Sequence, residues 1–372
     1  MKTAVWISIT VVALIPSVST AQDESHLNDL QAAGEAGIGQ TTIGGKWYIN
    51  FRIGDVDGDK VSRFGLDRGY IIIKHQLTSR LSGRITPDIS MDREGDGEGD
   101  LEVRLKYLFL DFKFDDLWLF TEPHVEFGLA HRPWLDYEEH INHYRVQGTM
   151  YLERNGIFNS GDYGIGLFSL LGGSMDDGYR ARVSDNYPGR YGSLAVGIYN
   201  GGGYHGIERN TNKTFEGRLS LRPLPDYLPG LQFSYHGVYG AGNDVDGTDW
   251  TVNLLYASWE SEYLVVSGQR YWGAGNFKAT DLDANGSALR QNGYSFFGEL
   301  RLPQHHLSLI GRYDHFDDTP SAEGGEAQRF IGGVAYHLKN QSKVVVDYDA
   351  YDRDGVAGVS QKLFKLSMEF SF

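Results

Sequence analysis

The last eleven residues, KLFKLSMEFSF, alternate with a period of two. Phe364, Leu366, Met368, Phe370 and Phe372 fall on one side, and Leu363, Lys365, Ser367, Glu369 and Ser371 on the other. This predicts a strand with one apolar face that stops on a bare aromatic. The alternation recurs along the chain: Trp47-Ile49-Phe51-Ile53, Leu108-Leu110-Phe112-Phe114, Leu231-Phe233-Tyr235-Gly237-Tyr239 and Phe330-Gly332-Val334-Tyr336 each skip a more polar neighbour. Each row reads as a half-buried strand. The only competing helical stretch is the short piece Ser25 to Ala36.

Sixteen strands are predicted, near 46–53, 66–77, 80–90, 102–114, 122–130, 162–171, 193–199, 213–222, 231–239, 248–258, 261–271, 291–302, 305–315, 326–338, 342–351 and 361–372. Their lengths approach the roughly 9–11 residues of a membrane-crossing strand. The links alternate between long polar stretches, such as Gly54 to Gly65, His131 to Gly161 and Trp272 to Arg290, and short ones, such as Thr78-Ser79, Pro303-Gln304 and Asn340-Gln341. A transmembrane β-barrel segregates its loops this way, with short turns at one end and long loops at the other. The expected fold is therefore all-β: a transmembrane antiparallel β-barrel of about sixteen strands. The link Gly172 to Gly192 breaks the pattern, as either an elaborated turn or an unrecognised hairpin.

The N-terminus changes the picture next. Lys2, an apolar run from Ala4 to Ile15, Pro16 and the small residues before Gln22 read as a cleaved signal peptide over residues 1–21. That leaves 22–45 as a short periplasmic segment and 46–372 as the barrel. Loss of Lys2 takes the formal charge from −15 to −16. Past residue 21 no apolar run reaches the roughly 20 residues of a membrane helix. Cysteine is absent, which removes thiol catalysis and thiolate metal sites. The acidic balance argues against nucleic acid as a partner. The 48 glycines and 13% aromatics suit strands, turns and interfacial aromatic girdles.

FGLAHRPWLDYEEHINHYRVQGTMYLERNGIFNSGDYGIGL, Phe127 to Leu167, resembles the most characteristic segment of the phosphate-selective porin O and P family. A Gly-bearing strand end reaches Pro133-Trp134, a loop follows with Glu153-Arg154, and Gly164 to Leu167 begins the return strand. Ala195 to Gly203 and Lys213 to Pro225 are similar to the strand pair that follows in that family. The resemblance implies a bacterial outer-membrane porin, a homotrimer in outer-membrane lipid, inserted by the barrel assembly machinery through the terminal Phe372. It implies a water-filled channel for small hydrophilic solutes or ions, including anions such as phosphate, and no cofactor.

In such porins the third outer loop folds into the lumen. Here it spans His131 to Gly161 and carries Arg132, Asp136, Glu138, Glu139, His140, His143 and Arg145, the candidate constriction. Facing acids and bases there would set a transverse field. His140 and His143 lack a third ligand in register, so no metal site is expected. The strand registers put Arg52, Arg84, Arg218, Arg301 and Arg312 on the wet face as candidate pore-lining residues, beside Asp88, Glu216, Glu299 and Asp314. That mixture departs from the clear basic excess of a phosphate-specific channel. The runs Asp55 to Asp59 and Asp92 to Asp100 are rich in carboxylates but match no calcium-loop spacing, and read as solvated outer loops. The competing classes are a barrel enzyme and an adhesin or structural anchor. No G-x-S-x-G motif occurs, and no catalytic set stands out.

Overall fold

The structure is a computed structural model that describes residues 37–92, 98–283, 285–318, 325–354 and 359–372. The leader, residues 22–36 and the centre of the run Asp92 to Asp100 lie outside the described residues. Sixteen strands form: β1 (Thr41–Val56), β2 (Asp59–Gln76), β3 (Leu81–Met91), β4 (Leu101–Lys113), β5 (Phe120–His131), β6 (Gly161–Leu171), β7 (Gly192–Tyr199) and β8 (Thr214–Leu221). They continue as β9 (Leu231–Ala241), β10 (Asp249–Glu260), β11 (Leu264–Ala274), β12 (Arg290–Leu302), β13 (Leu307–Asp317), β14 (Glu326–His337), β15 (Lys343–Arg353) and β16 (Val359–Ser371). Three short helices lie in the links: α1 (Leu135–Glu139), α2 (Tyr151–Arg154) and α3 (Asp177–Arg182).

Every strand pairs antiparallel with its neighbours in sequence, and β1 closes on β16. The C-terminal strand shows what closure requires. Phe364, Leu366, Met368 and Phe370 are exposed, whereas Lys365, Ser367, Glu369 and Ser371 are buried. The sheet is thus inverted relative to a soluble one, with its apolar row facing outward and its polar row inward. Phe372 exchanges backbone hydrogen bonds with Gly45 at 3.0 and 3.1 Å. Its ring covers Gly45, where a Cβ would stand 2.4 Å from the ring edge. The bare aromatic therefore seals the seam between the first and last strands.

Two details differ from the expected organisation. Strands β1 and β2 run on to Val56 and Asp59, so the expected long link Gly54 to Gly65 is a tight hairpin. Asp57 and Gly58 both have positive φ, 55° and 88°, which is the type I′ turn an Asp-Gly pair favours. Asp55 accepts from the Gly58 amide and the Lys60 ammonium, so the acidic run serves the turn. The link 172–191 is an elaborated turn carrying α3, with no extra hairpin.

Candidate functional site: the loop inside the barrel

Residues 132–160 join β5 to β6, yet they do not project from the barrel end. Trp134, Leu135, Tyr137, Met150, Tyr151, Leu152, Ile157 and Phe158 are fully buried, packed with inward residues of the wall. The loop is tied down along its length. Arg132 forks onto Glu216 of β8, donates to Asn159 at 2.9 Å, and lies 3.9 Å over the Phe158 ring. Trp134 stacks on His236 of β9 at 5.5 Å. The Tyr144 hydroxyl donates to Glu299 of β12 at 2.6 Å, and that of Tyr151 to the His315 carbonyl of β13 at 2.7 Å. Arg154 reaches Asp314 of β13 at 3.3 Å. Lys343 of β15 and Lys365 of β16 donate to the carbonyls of His143 and Gln147, at 2.9 and 2.8 Å. The loop therefore crosses the lumen and docks against the wall from β8 round to β16.

This docking sorts the seven loop candidates. Arg132 and Glu138 lie beneath the loop, 1% and 3% exposed. Glu138 accepts from the Trp134 indole at 2.8 Å and from Gln269 at 2.6 Å. Burial pushes its carboxyl up to about 7, against the pull of Arg312. Asp136, Glu139, His140, His143 and Arg145 remain partly accessible. Arg145 sits between Glu139 at 3.3 Å and Glu153 at 3.5 Å. Asp136 and His140 pair at 3.4 Å. Burial opposes the His140 charge, but Asp136 outweighs it and lifts the imidazole to about 9. Burial likewise opposes the Asp136 carboxylate, but His140, His131 and Tyr187 hold it well below the usual range. For His143 burial, with Arg301 and Lys343 nearby, pushes the imidazole down. Among the described residues no group of three or more His, Asp and Glu side chains is arranged to hold a metal.

The five strand arginines all lie on the inward row, in differing circumstances. Arg52 pairs with Asp67, and Arg301 with Glu299 at 2.9 Å, each partly accessible. Arg84 donates to Nε2 of His131 at 3.2 Å, which leaves Nδ1–H to donate to Glu126 at 2.8 Å. Arg218 is 2% exposed beneath the loop and donates to the Pro133 carbonyl at 2.9 Å. Arg312 is 6% exposed and holds the Thr149 carbonyl at 3.0 Å.

Sequence reasoning missed the wall that the loop leaves uncovered. Strands β2 and β4 present Arg68, Lys74, Arg104 and Lys106 inward. Arg68 pairs with Asp88 at 2.9 Å, and Arg104 with Glu102. Lys106 instead lies over the rings of Tyr70, at 4.5 Å, and Tyr107, at 5.4 Å. Among the described residues no carboxylate pairs with it. Glu139 and Arg145 of the loop lie within its electrostatic reach.

No protein-family model and no curated relative matches the sequence. Solved structures do. The anion-selective porin of Comamonas acidovorans aligns with a TM-score of 0.60 at 12% identity, over 90% of this chain and 99% of that one. The outer-membrane channel DcaP of Acinetobacter baumannii aligns at 0.56 and 13%, over 90% and 98%. The trimer form of OmpT, an outer-membrane protein of Vibrio cholerae, aligns at 0.52 and 12%, over 90% and 100%. At such identities the likeness establishes the fold alone, a closed sixteen-stranded antiparallel barrel.

Proposed function

We propose that the chain is an outer-membrane porin: a passive, water-filled channel for small hydrophilic solutes and ions, constricted by the loop 132–160. One observation carries this reading. A loop docked inside a closed barrel by many side chains narrows the lumen at a fixed place, which neither an adhesin nor an anchor requires. The accessible part of the loop carries three carboxylates, Asp136, Glu139 and Glu153, against Arg145 and the His140 imidazolium, a slight acidic excess. The uncovered wall opposite is basic at Arg52, Arg68, Lys74 and Arg104, with Lys106 buried among the rings behind it. Opposed charges of this kind make a transverse field that orders water and slows apolar solutes.

The selectivity follows from the pairing. Arg52, Arg68 and Arg104 each have a carboxylate beside them, so their fields are largely local. Lys106 adds one cation held against rings, with no carboxylate in contact among the described residues. The reading is a general pore with a modest preference for anions. The resemblance of Phe127 to Leu167 to the phosphate-selective porins supports the porin class. Arg132, the guanidinium that a phosphate would otherwise meet in the loop, is sequestered by Glu216. A barrel enzyme would draw on Ser308, His337 and Glu299, which meet at 2.7 to 2.8 Å. Ser308 is fully buried and its hydroxyl donates to the acid, whereas a catalytic triad has the acid orient the far nitrogen of the base.

The trimeric neighbour supports a homotrimer, and the signal peptide expected from the sequence and the seam-sealing Phe372 support assembly in the outer membrane. Reversal potential across a salt gradient, with chloride and then phosphate, tests the selectivity. A small anion preference, reduced by Lys106→Gln, is the expected result. A large phosphate preference would restore the narrower family's specificity.

A further inference from the structure

The turn 172–191 is out of place at the end of the barrel where neighbouring strands join through short turns. Its base is stitched to the rim: Gly172 N–H donates to the Leu119 carbonyl, and Arg190 and Tyr191 N–H to those of Gly173 and Leu171, all at 2.8 Å. Arg222, 2% exposed, donates through Nε to the Gly189 carbonyl at 3.2 Å and through Nη1 to the Tyr179 hydroxyl at 3.0 Å. From this base Tyr187 enters the lumen. Its hydroxyl donates to Asp136, and its ring meets Tyr137 edge-on at 5.0 Å and His140 at 5.7 Å. The Arg218 guanidinium lies over both tyrosines, 4.2 Å from Tyr137 and 5.0 Å from Tyr187. Tyr187 also has φ of +47°, a left-handed conformation that a bulky residue holds only where its surroundings enforce it.

The contacts of Tyr187 converge on α1 and its C-cap, at Asp136, Tyr137 and His140, next to Glu139. Joining β6 to β7 needs only a few residues, and nothing in that task calls for a tyrosine braced against the loop from below. We infer that residues 172–191 are a second in-lumen element, entering from the short-turn end, and that Tyr187 is a positioning residue that sets where the acidic face of the loop stands. Its effect on solutes rests on the channel reading; the docking itself does not. The narrow passage is thereby gripped from both ends of the barrel, and its charge on the short-turn side depends on a segment distant from the loop in sequence.

Hydrogen exchange of the full-length barrel in detergent tests the docking directly. Tyr187→Ala should speed exchange over 134–143 by about tenfold or more, with the strand amides keeping their protection. Unchanged exchange over 134–143, or equal loosening of all strands, overturns the inference. Should Tyr187→Ala misassemble, Tyr187→Phe keeps the ring and loses only the bond to Asp136. A smaller rise at the same amides then supports the inference, and no rise overturns it. In planar bilayers Tyr187→Ala should also raise single-channel conductance. Silence of the wild-type protein would contradict the channel reading, while the exchange result would still decide the docking.

Discussion

Arg132 shows how much a single side chain in the lumen does. Its planar fork binds both Glu216 oxygens, its face lies on Phe158, and it is almost wholly buried. Removing one partner of a buried ion pair strands the other, at about 3–5 kcal/mol. Arg132→Ala should therefore lower the unfolding midpoint sharply in a denaturant titration. Arg132→Lys should rescue only part of it, because an ammonium cannot fork or stack in the same way. Glu138 makes a pH prediction. With its carboxyl raised from 4.5 to about 7, the docked loop holds a proton that an undocked loop releases between those values. Docking is then strongest below about 4.5 and weakens as pH rises to about 7. His140, raised from 6.5 to about 9, acts with the same sign at higher pH. The thermal midpoint should fall between pH 4.5 and 7, and Glu138→Gln should flatten that part of the curve while leaving the slope between 6.5 and 9.

At the scale of the element, the strands were legible and the irregularities were not. Period-two alternation placed all sixteen strands, because inverted burial repeats the same apolar row on each. The long loop after β5 was legible from its length and charge. Lys106 was not: counted back from Leu108 and Leu110, its parity is outward. A β-bulge in the β3–β4 pairing, where Pro87 supplies no N–H, adds one residue to β4 and returns Lys106 to the lumen. Labelling tests this simply. With Arg104→Cys, which the same bulge turns inward and which is partly accessible, a charged, membrane-impermeant thiol reagent should react readily, whereas Leu108→Cys should be protected by lipid. The reverse result would place the bulge elsewhere. The inward course of 172–191 was equally hidden, since the partners of Tyr187 and Arg222 come from the loop and from the rim. Arg132 and Glu216 meet across 84 positions of sequence, a distance that local pattern does not bridge.

For the whole molecule, mean hydropathy is −0.38, which resembles a soluble chain because apolar and polar rows cancel. The separation is spatial: along the strands the apolar row faces outward and the polar row inward. The central claim is that this barrel conducts and that the docked loop sets its width. Single-channel recording of the wild-type protein beside a variant lacking residues 134–150 tests it most directly. The account predicts discrete steps for the wild type and larger steps for the deletion. A folded wild-type barrel that passes no current, or a deletion with unchanged conductance, would contradict it.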